Sequence, residues 1–181
     1  MKYEENQIVD ILRSVRHDLL NQVQLLKANL SLKRLDRVEL IIDEIVAKAK
    51  TEAQLSNLQV PRTTLFLLGY NWKPQPFKLE IALSGAMTDW SEYDEALYLL
   101  LSRVFTVFEK NSDHMSNNVL SLSLFTDFDF PRLSFKYLGK ITDEKDLDQY
   151  FSELNQTYHL VEKYIHSEET VITFELTDPL R

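Results

Sequence analysis

The sequence predicts an α+β protein: an N-terminal helical hairpin, then a layered domain with helices on one face of a mixed or antiparallel sheet. Three observations predict it. Residues 1–60 contain no Gly and no Pro, and their apolar positions recur with the period of an α-helix. Pro61 closes that stretch, because the residue before a proline is pushed away from helical angles. Beyond it, short runs of alternating apolar and polar residues are interleaved with helical repeats, the pattern of an α+β layer.

In the hairpin, Ile8, Leu12, Val15, Leu19, Gln22 and Leu26 are spaced 4, 3, 4, 3, 4, and Leu35, Val38, Ile42, Ile45 and Ala49 are spaced 3, 4, 3, 4. These are heptad-like seams that pack helices side by side. Ile11, Leu25 and Leu30 widen the first stripe, and Ile41 and Val46 the second. The seam phase resets between Ser31 and Arg34, so NLSLKRLD reads as the tip, with Asp36 or Ser31 as candidate cap of the second helix. Two helices alone cannot bury two stripes this wide. Pairing with a second hairpin in a four-helix bundle would do so, which makes a homodimer the expectation. The alternative is that the hairpin packs on its own C-terminal domain. The division expected is residues 1–60 for the hairpin and 61–181 for the α+β domain.

In the second part, residues 62–71 read as a short helix and Trp72 to Pro76 as a turn. Phe77, Leu79, Ile81 and Leu83 alternate on one face of a strand. Asp89 or Ser91 opens a helix carrying Tyr93, Leu97, Leu100, Leu101, Val104, Phe105 and Phe108 at helical spacing. Residues 119–125 and 133–138 read as strands joined through DFDFP, residues 143–155 as an acidic helix, and residues 171–176 as a last strand. The aromatic set Phe105, Phe108, Phe125 and Phe135 is expected in the core.

Composition narrows the function classes. Of 181 residues 44% are apolar, so a core is available, and the absence of cysteine excludes disulfides, thiolate metal sites and cysteine nucleophiles. The net charge is −8, and all of it falls after residue 60: residues 1–60 hold nine basic and nine acidic residues, leaving eleven and nineteen for the rest. That balance speaks against a nucleic-acid partner. The N-terminal MKYEENQIVD has no signal-peptide core, and no run approaches the ~20 apolar residues of a membrane span, so a cytoplasmic protein without a membrane partner is expected.

The chemistry concentrates in Arg16-His17-Asp18-Leu19-Leu20-Asn21. His17 lies two residues from each of Val15 and Leu19 and so points away from the seam. Its neighbours at i±3, i±4 and i+7 are Arg13, Ser14, Leu20, Asn21 and Gln24, a set of donors around one exposed leucine. An imidazole near neutral pH is substantially unprotonated and can attack phosphorus, and phosphoryl transfer rests on positioning and on donors for the equatorial oxygens. A solitary helix histidine is more often only a surface residue.

The motif adds to this. Arg16-His17-Asp18-x-x-Asn21 resembles the phosphoacceptor box of two-component signalling proteins. The longer run RHDLLNQVQLLKANLSLKRLDRV, followed by LSNLQVP and NWKP, resembles the sporulation initiation phosphotransferase B family of spore-forming bacilli, from about Ile11 to Leu176. The resemblance implies a C-terminal α/β sandwich similar to a histidine-kinase ATP-binding domain, without a working nucleotide site. It implies that His17 accepts a phosphoryl group from the aspartate of one response regulator and passes it to a second regulator that controls sporulation. Asn21 and Gln24 match the face on which regulators dock, with Arg16 in the box. Arg13 does not belong to the family pattern, so its role rests on geometry alone. No cofactor or metal is expected on this chain; Mg²⁺ would come with the regulator's acidic pocket.

Two other functions compete. An ATP-dependent histidine kinase would need glycine-rich loops, yet Gly69, Gly85 and Gly139 stand far apart and no GxG occurs. Glu109-Lys110-Asn111 falls where an Asn-based Mg²⁺ box would be expected and reads as a polar helix end. A non-catalytic dimeric adaptor for regulators would leave His17 dispensable. His159 and His166, with nearby glutamates, lack a metal-binding box, and His114 lies in a polar loop.

Overall fold

A computed structural model describes residues 5–72, 74–86 and 88–179, with side chains in the first helix described for Val9 and from Leu12 onward. The seam positions Ile8 and Ile11 lie outside the described side chains, and Lys73 of the NWKP run outside the described residues. The chain divides into two compact units, Met1–Glu52 and Ala53–Arg181.

The first unit holds α1 (Glu5–Ser31) and most of α2 (Leu35–Asn57). A Schellman turn joins them: the Lys33 N–H donates to Leu30 O and the Arg34 N–H to Asn29 O, each at 3.0 Å. Lys33 adopts the left-handed conformation this turn needs, with φ 56°. Neither expected cap serves α2: Asp36 lies inside its first turn, where its charge suits the helix dipole, and the Ser31 hydroxyl donates back to Lys27 O at 2.9 Å. Ser14, Gln22, Leu26 and Asn29 are the half-buried side chains described on α1; on α2 Val38 is buried and Ile41 and Ile45 half-buried, before Leu55 joins the core of the second unit, and both Gln22, Leu26, Asn29 and Val38, Ile41, Ile45 keep the 3–4 spacing. In the single chain Leu12, Val15, Leu19, Ile42 and Val46 are all exposed.

The second unit is a five-stranded mixed sheet of order β1-β2-β3-β5-β4, with β1 (Lys78–Ser84), β2 (Val119–Phe125), β3 (Arg132–Leu138), β4 (His159–Ile165) and β5 (Glu169–Glu175). β1 pairs with β2 in parallel and every other pair is antiparallel. The parallel pair needs a crossover, and α4 (Asp94–Asn111) supplies it. α3 (Pro61–Tyr70), α4 and α5 (Glu144–Leu154) pack on one sheet face over Leu97, Leu101, Phe105, Phe108, Phe135 and Phe151. Pro61 stands in the first turn of α3, where its missing N–H costs nothing. The free N–H groups of Arg62 and Thr63 donate to the Asp94 carboxylate of α4 at 3.0 and 2.9 Å. Asp143 caps α5, accepting from Lys145 N and Asp146 N.

Three sequence expectations need correction. Asp89 opens a short 3₁₀ turn, Ser91–Tyr93, by accepting from Ser91 N at 2.8 Å, and the α-helix proper starts at Asp94. Phe125 is only half-buried: the alternation of β2 that buries Leu120, Leu122 and Leu124 turns Phe125 to the open sheet face, where it meets Phe128. β4 was not expected at all. Its register shifts between Leu160 and Glu162, so the bulge at Val161 destroys the apolar–polar alternation that marks a strand. No helix among the described residues is long and apolar enough to cross a membrane.

Candidate functional site

His17 lies in the regular middle of α1, fourteen residues before its last residue, Ser31, so its backbone is fixed by helical hydrogen bonds on both sides. Its side chain is 71% exposed. One turn along, the Asn21 amide meets the ring at 3.2 Å, Nδ2 to Nδ1. The carboxylate of Asp18 stands 3.7 Å from the same nitrogen. Among the described residues Nε2 makes no hydrogen bond. The two ring nitrogens are therefore distinguished: Nδ1 is held by protein groups and Nε2 is presented to whatever docks.

At about 100° per residue, Arg16 and Asp18 stand on the two shoulders of His17, while Arg13, Asn21 and Gln24 share its face more closely. Arg13, Arg16, Leu20, Asn21 and Gln24 are exposed, and Ser14 is half-buried. Sequence reasoning singled out Asn21 through the i, i+4 rule but gave Asp18 no role. The available signal was its adjacency in the box, which lets a short carboxylate reach back to Nδ1.

The other segment with possible chemistry is Glu109-Lys110-Asn111. Asn111 is buried, and its amide donates to Val107 O at 3.0 Å and to Asp146 Oδ2 at 2.9 Å. The Lys110 ammonium donates to both Asp146 oxygens, at 3.0 and 2.8 Å. The ammonium, and then the amide, hold the Asp146 carboxyl below the usual carboxylate range, while Asp146 raises Lys110. The Glu109 carboxylate accepts from the Tyr70 hydroxyl at 2.9 Å. All three side chains are thus committed to partners inside the unit. The Asn111 amide and the Lys110 ammonium share one acceptor, Asp146. His159 begins β4 and His166 follows it, and no three His, Cys, Asp or Glu among the described residues converge on a metal-sized site.

Two family models together cover nearly the whole chain. The α-helical domain of the SpoOB-type sensor kinase matches residues 1–58, and the C-terminal domain of sporulation initiation phosphotransferase B matches residues 59–177. The chain belongs to the sporulation initiation phosphotransferase B family. Within that family, the Bacillus subtilis (strain 168) sporulation initiation phosphotransferase B is 40% identical over 122 residues, which span 67% of this chain and 64% of the relative's own length. Solved structures with some likeness to this family member include a bacterial phosphotransferase (12% identity, 97% of this chain and 98% of that one, TM-score 0.40). Another is the histidine kinase domain of the Erythrobacter litoralis EL346 blue-light-activated kinase (13% identity, 62% and 57% of the chains, TM-score 0.44). A third is the Acinetobacter baumannii histidine kinase AdeS (14% identity, 88% and 96%, TM-score 0.41).

Proposed function

We propose that this chain is a phosphorelay phosphotransferase of the cytoplasm. It accepts a phosphoryl group from a response-regulator aspartate onto His17 and passes it to the aspartate of a second regulator controlling sporulation. The observation that carries the reading is the exposed His17 ring, with Asn21 on Nδ1, the Asp18 carboxylate nearby, and no hydrogen bond to Nε2 among the described residues.

In the forward step the Nε2 lone pair attacks the phosphorus of the aspartyl phosphate. The N–P bond forms, the P–O bond to the regulator carboxylate breaks, and the carboxylate leaves with the electron pair. This requires the ring proton on Nδ1. There Asn21 accepts it once its amide turns its oxygen inward, a swap of nearly identical shape, while the Asp18 carboxylate, 3.7 Å away and beyond hydrogen-bond reach, attracts it electrostatically. The same contacts stabilise the positive charge the ring acquires as the N–P bond forms. Transfer onward reverses these events, with the phosphoramidate nitrogen as leaving group. Arg13, Ser14, Arg16 and Gln24 surround the ring as donors for phosphoryl or regulator oxygens, and Leu20 offers an apolar contact. Mg²⁺ belongs to the regulator's pocket in this reading, and no step passes through ATP.

The exposed seam of Leu12, Val15, Leu19, Ile42 and Val46 supports a homodimer, in which a second hairpin would complete a four-helix bundle. The deciding experiment offers purified protein a phosphorylated regulator and, separately, labelled ATP. Wild type is expected to take label from the regulator and none from ATP, and His17→Ala to take none from either. Label on His17→Ala, or no label on wild type from any regulator, would make His17 only a surface histidine, the second outcome moving the adaptor reading ahead; label from ATP on wild type would favour the kinase reading.

A further inference from the structure

We infer that Gln22 sets the register in which two hairpins pair, by hydrogen bonding to its own counterpart in a second copy of the chain. The inference rests on the homodimer of the proposed function and adds the residue that aligns it. Gln22 is the only polar residue in the two seams, standing between Leu19 and Leu26 on α1. It is half-buried, and its amide makes no hydrogen bond among the described residues. Asn29, also half-buried and two turns further on, differs: its amide donates to Leu25 O at 2.9 Å, inside its own helix. The least exposed side of α2 in the hairpin offers Gln22 only the apolar Val38, Ile41 and Ile45.

Val15 and Leu19 precede Gln22 on the same stripe, two turns and one turn back, and both are exposed in the single chain. A second hairpin that covers them covers the amide as well. Taken out of water, that amide carries a desolvation penalty unless it finds a partner. A glutamine amide holds two N–H donors and a carbonyl acceptor, so two copies can bond each other reciprocally. The second copy thus supplies the chemistry that the hairpin itself lacks.

A two-fold axis along the bundle brings each seam residue level with its own counterpart, and so amide with amide. A slip of one heptad would set Gln22 of one copy against Asn29 of the other, and on the opposite side against Val15. The amide facing Val15 then stays unpaired in an apolar layer. Apolar seam positions do not forbid that slip, because leucine packs on valine much as it packs on leucine; a polar residue in the seam does. His17 lies on the same helix one to two turns before Gln22. The register that Gln22 fixes therefore also fixes which residues of the second copy stand level with each His17.

The test is charge exchange at this one position in the full chain, read by sedimentation equilibrium. Wild type is expected at the mass of two chains. Gln22→Glu and Gln22→Lys each set like charges against each other in the aligned pair, and each should weaken pairing about tenfold or more. Mixed together, the two variants should pair with each other in preference to themselves. Helical circular dichroism follows every sample, and a variant that unfolds alone should regain helix on mixing. The inference is overturned, with the homodimer left standing, if either variant pairs as tightly as wild type or if the mixture shows no preference for the mixed pair. A single-chain mass for wild type overturns the homodimer and this inference together. Transfer from a phosphorylated regulator onto His17 of wild type reports on the phosphotransferase reading separately.

Discussion

The buried Asn111 amide donates to the Asp146 carboxylate at 2.9 Å, linking the last residue of α4 to the first turn of α5. Lys110 completes the cluster on the same carboxylate. Because Asp146 titrates below its unfolded value, its contribution to stability is present above that value, about pH 4, and is lost as pH falls through the lower folded value. Asp146→Asn should therefore destabilise the protein at neutral pH and matter progressively less on acidification. Urea unfolding across an acidic pH series reads this directly; a wild-type–variant gap that stays constant to the acid end would contradict it.

Asp94 offers a second prediction from a contact no local pattern announces. Its carboxylate accepts the N–H groups of Arg62 and Thr63, more than thirty residues earlier, so a residue of α4 caps α3. Val60, at the cap position itself, contributes no side-chain bond. Asp94→Ala should cost about 1–2 kcal/mol, and Asp94→Asn, which keeps an acceptor, clearly less. Denaturant midpoints of the two variants separate a capping role from a merely electrostatic one.

These cases show what the sequence could and could not convey. The α1–α2 break, α4 and β2 follow from short-range pattern and were legible. The Asp94 cap depends on packing that brings distant segments together. β4 was hidden because the bulge at Val161 places Leu160, Val161, Tyr164 and Ile165 out of alternation on an edge strand. Phe125 was misassigned because hydrophobicity alone does not say which face of β2 it occupies. His17 and Asn21 were legible because helix geometry fixes i, i+4 neighbours, whereas Asp18, at i+1, is a neighbour that the i, i+3 and i, i+4 rules pass over.

Thr170 is fully buried in β5, and its hydroxyl has no hydrogen-bond partner among the described residues. A buried hydroxyl without a partner carries a desolvation penalty, while valine keeps the branched shape and suits a strand. Thr170→Val should stabilise by about 1 kcal/mol. A thermal melt with a raised midpoint is the expected result; a lowered one would mean the hydroxyl serves a group that the valine methyl disrupts.

Lys33→Gly should stabilise the hairpin by about 1 kcal/mol, since an L-residue pays for the left-handed conformation that glycine adopts freely. Denaturant unfolding of wild type and variant side by side measures it; a lowered midpoint would mean that the Lys33 side chain contributes more to the turn than the conformation costs.

The last prediction concerns proton placement at His17. Nucleophilic attack by Nε2 needs the proton on Nδ1, and Asp18 at 3.7 Å is the charged group able to hold it there as the ring becomes positive. Asp18→Asn keeps the size but removes the charge, so transfer onto His17 should slow by about 10²-fold, while regulator binding changes little. Asn21→Ala removes the 3.2 Å contact and should slow transfer less, because the carboxylate remains. Single-turnover transfer from a phosphorylated regulator, with binding measured separately, distinguishes a positioning role from a docking role. If Asp18→Asn weakens binding and leaves the single-turnover rate intact, Asp18 contacts the regulator instead of orienting the ring, and the proton on Nδ1 must be held by Asn21 alone.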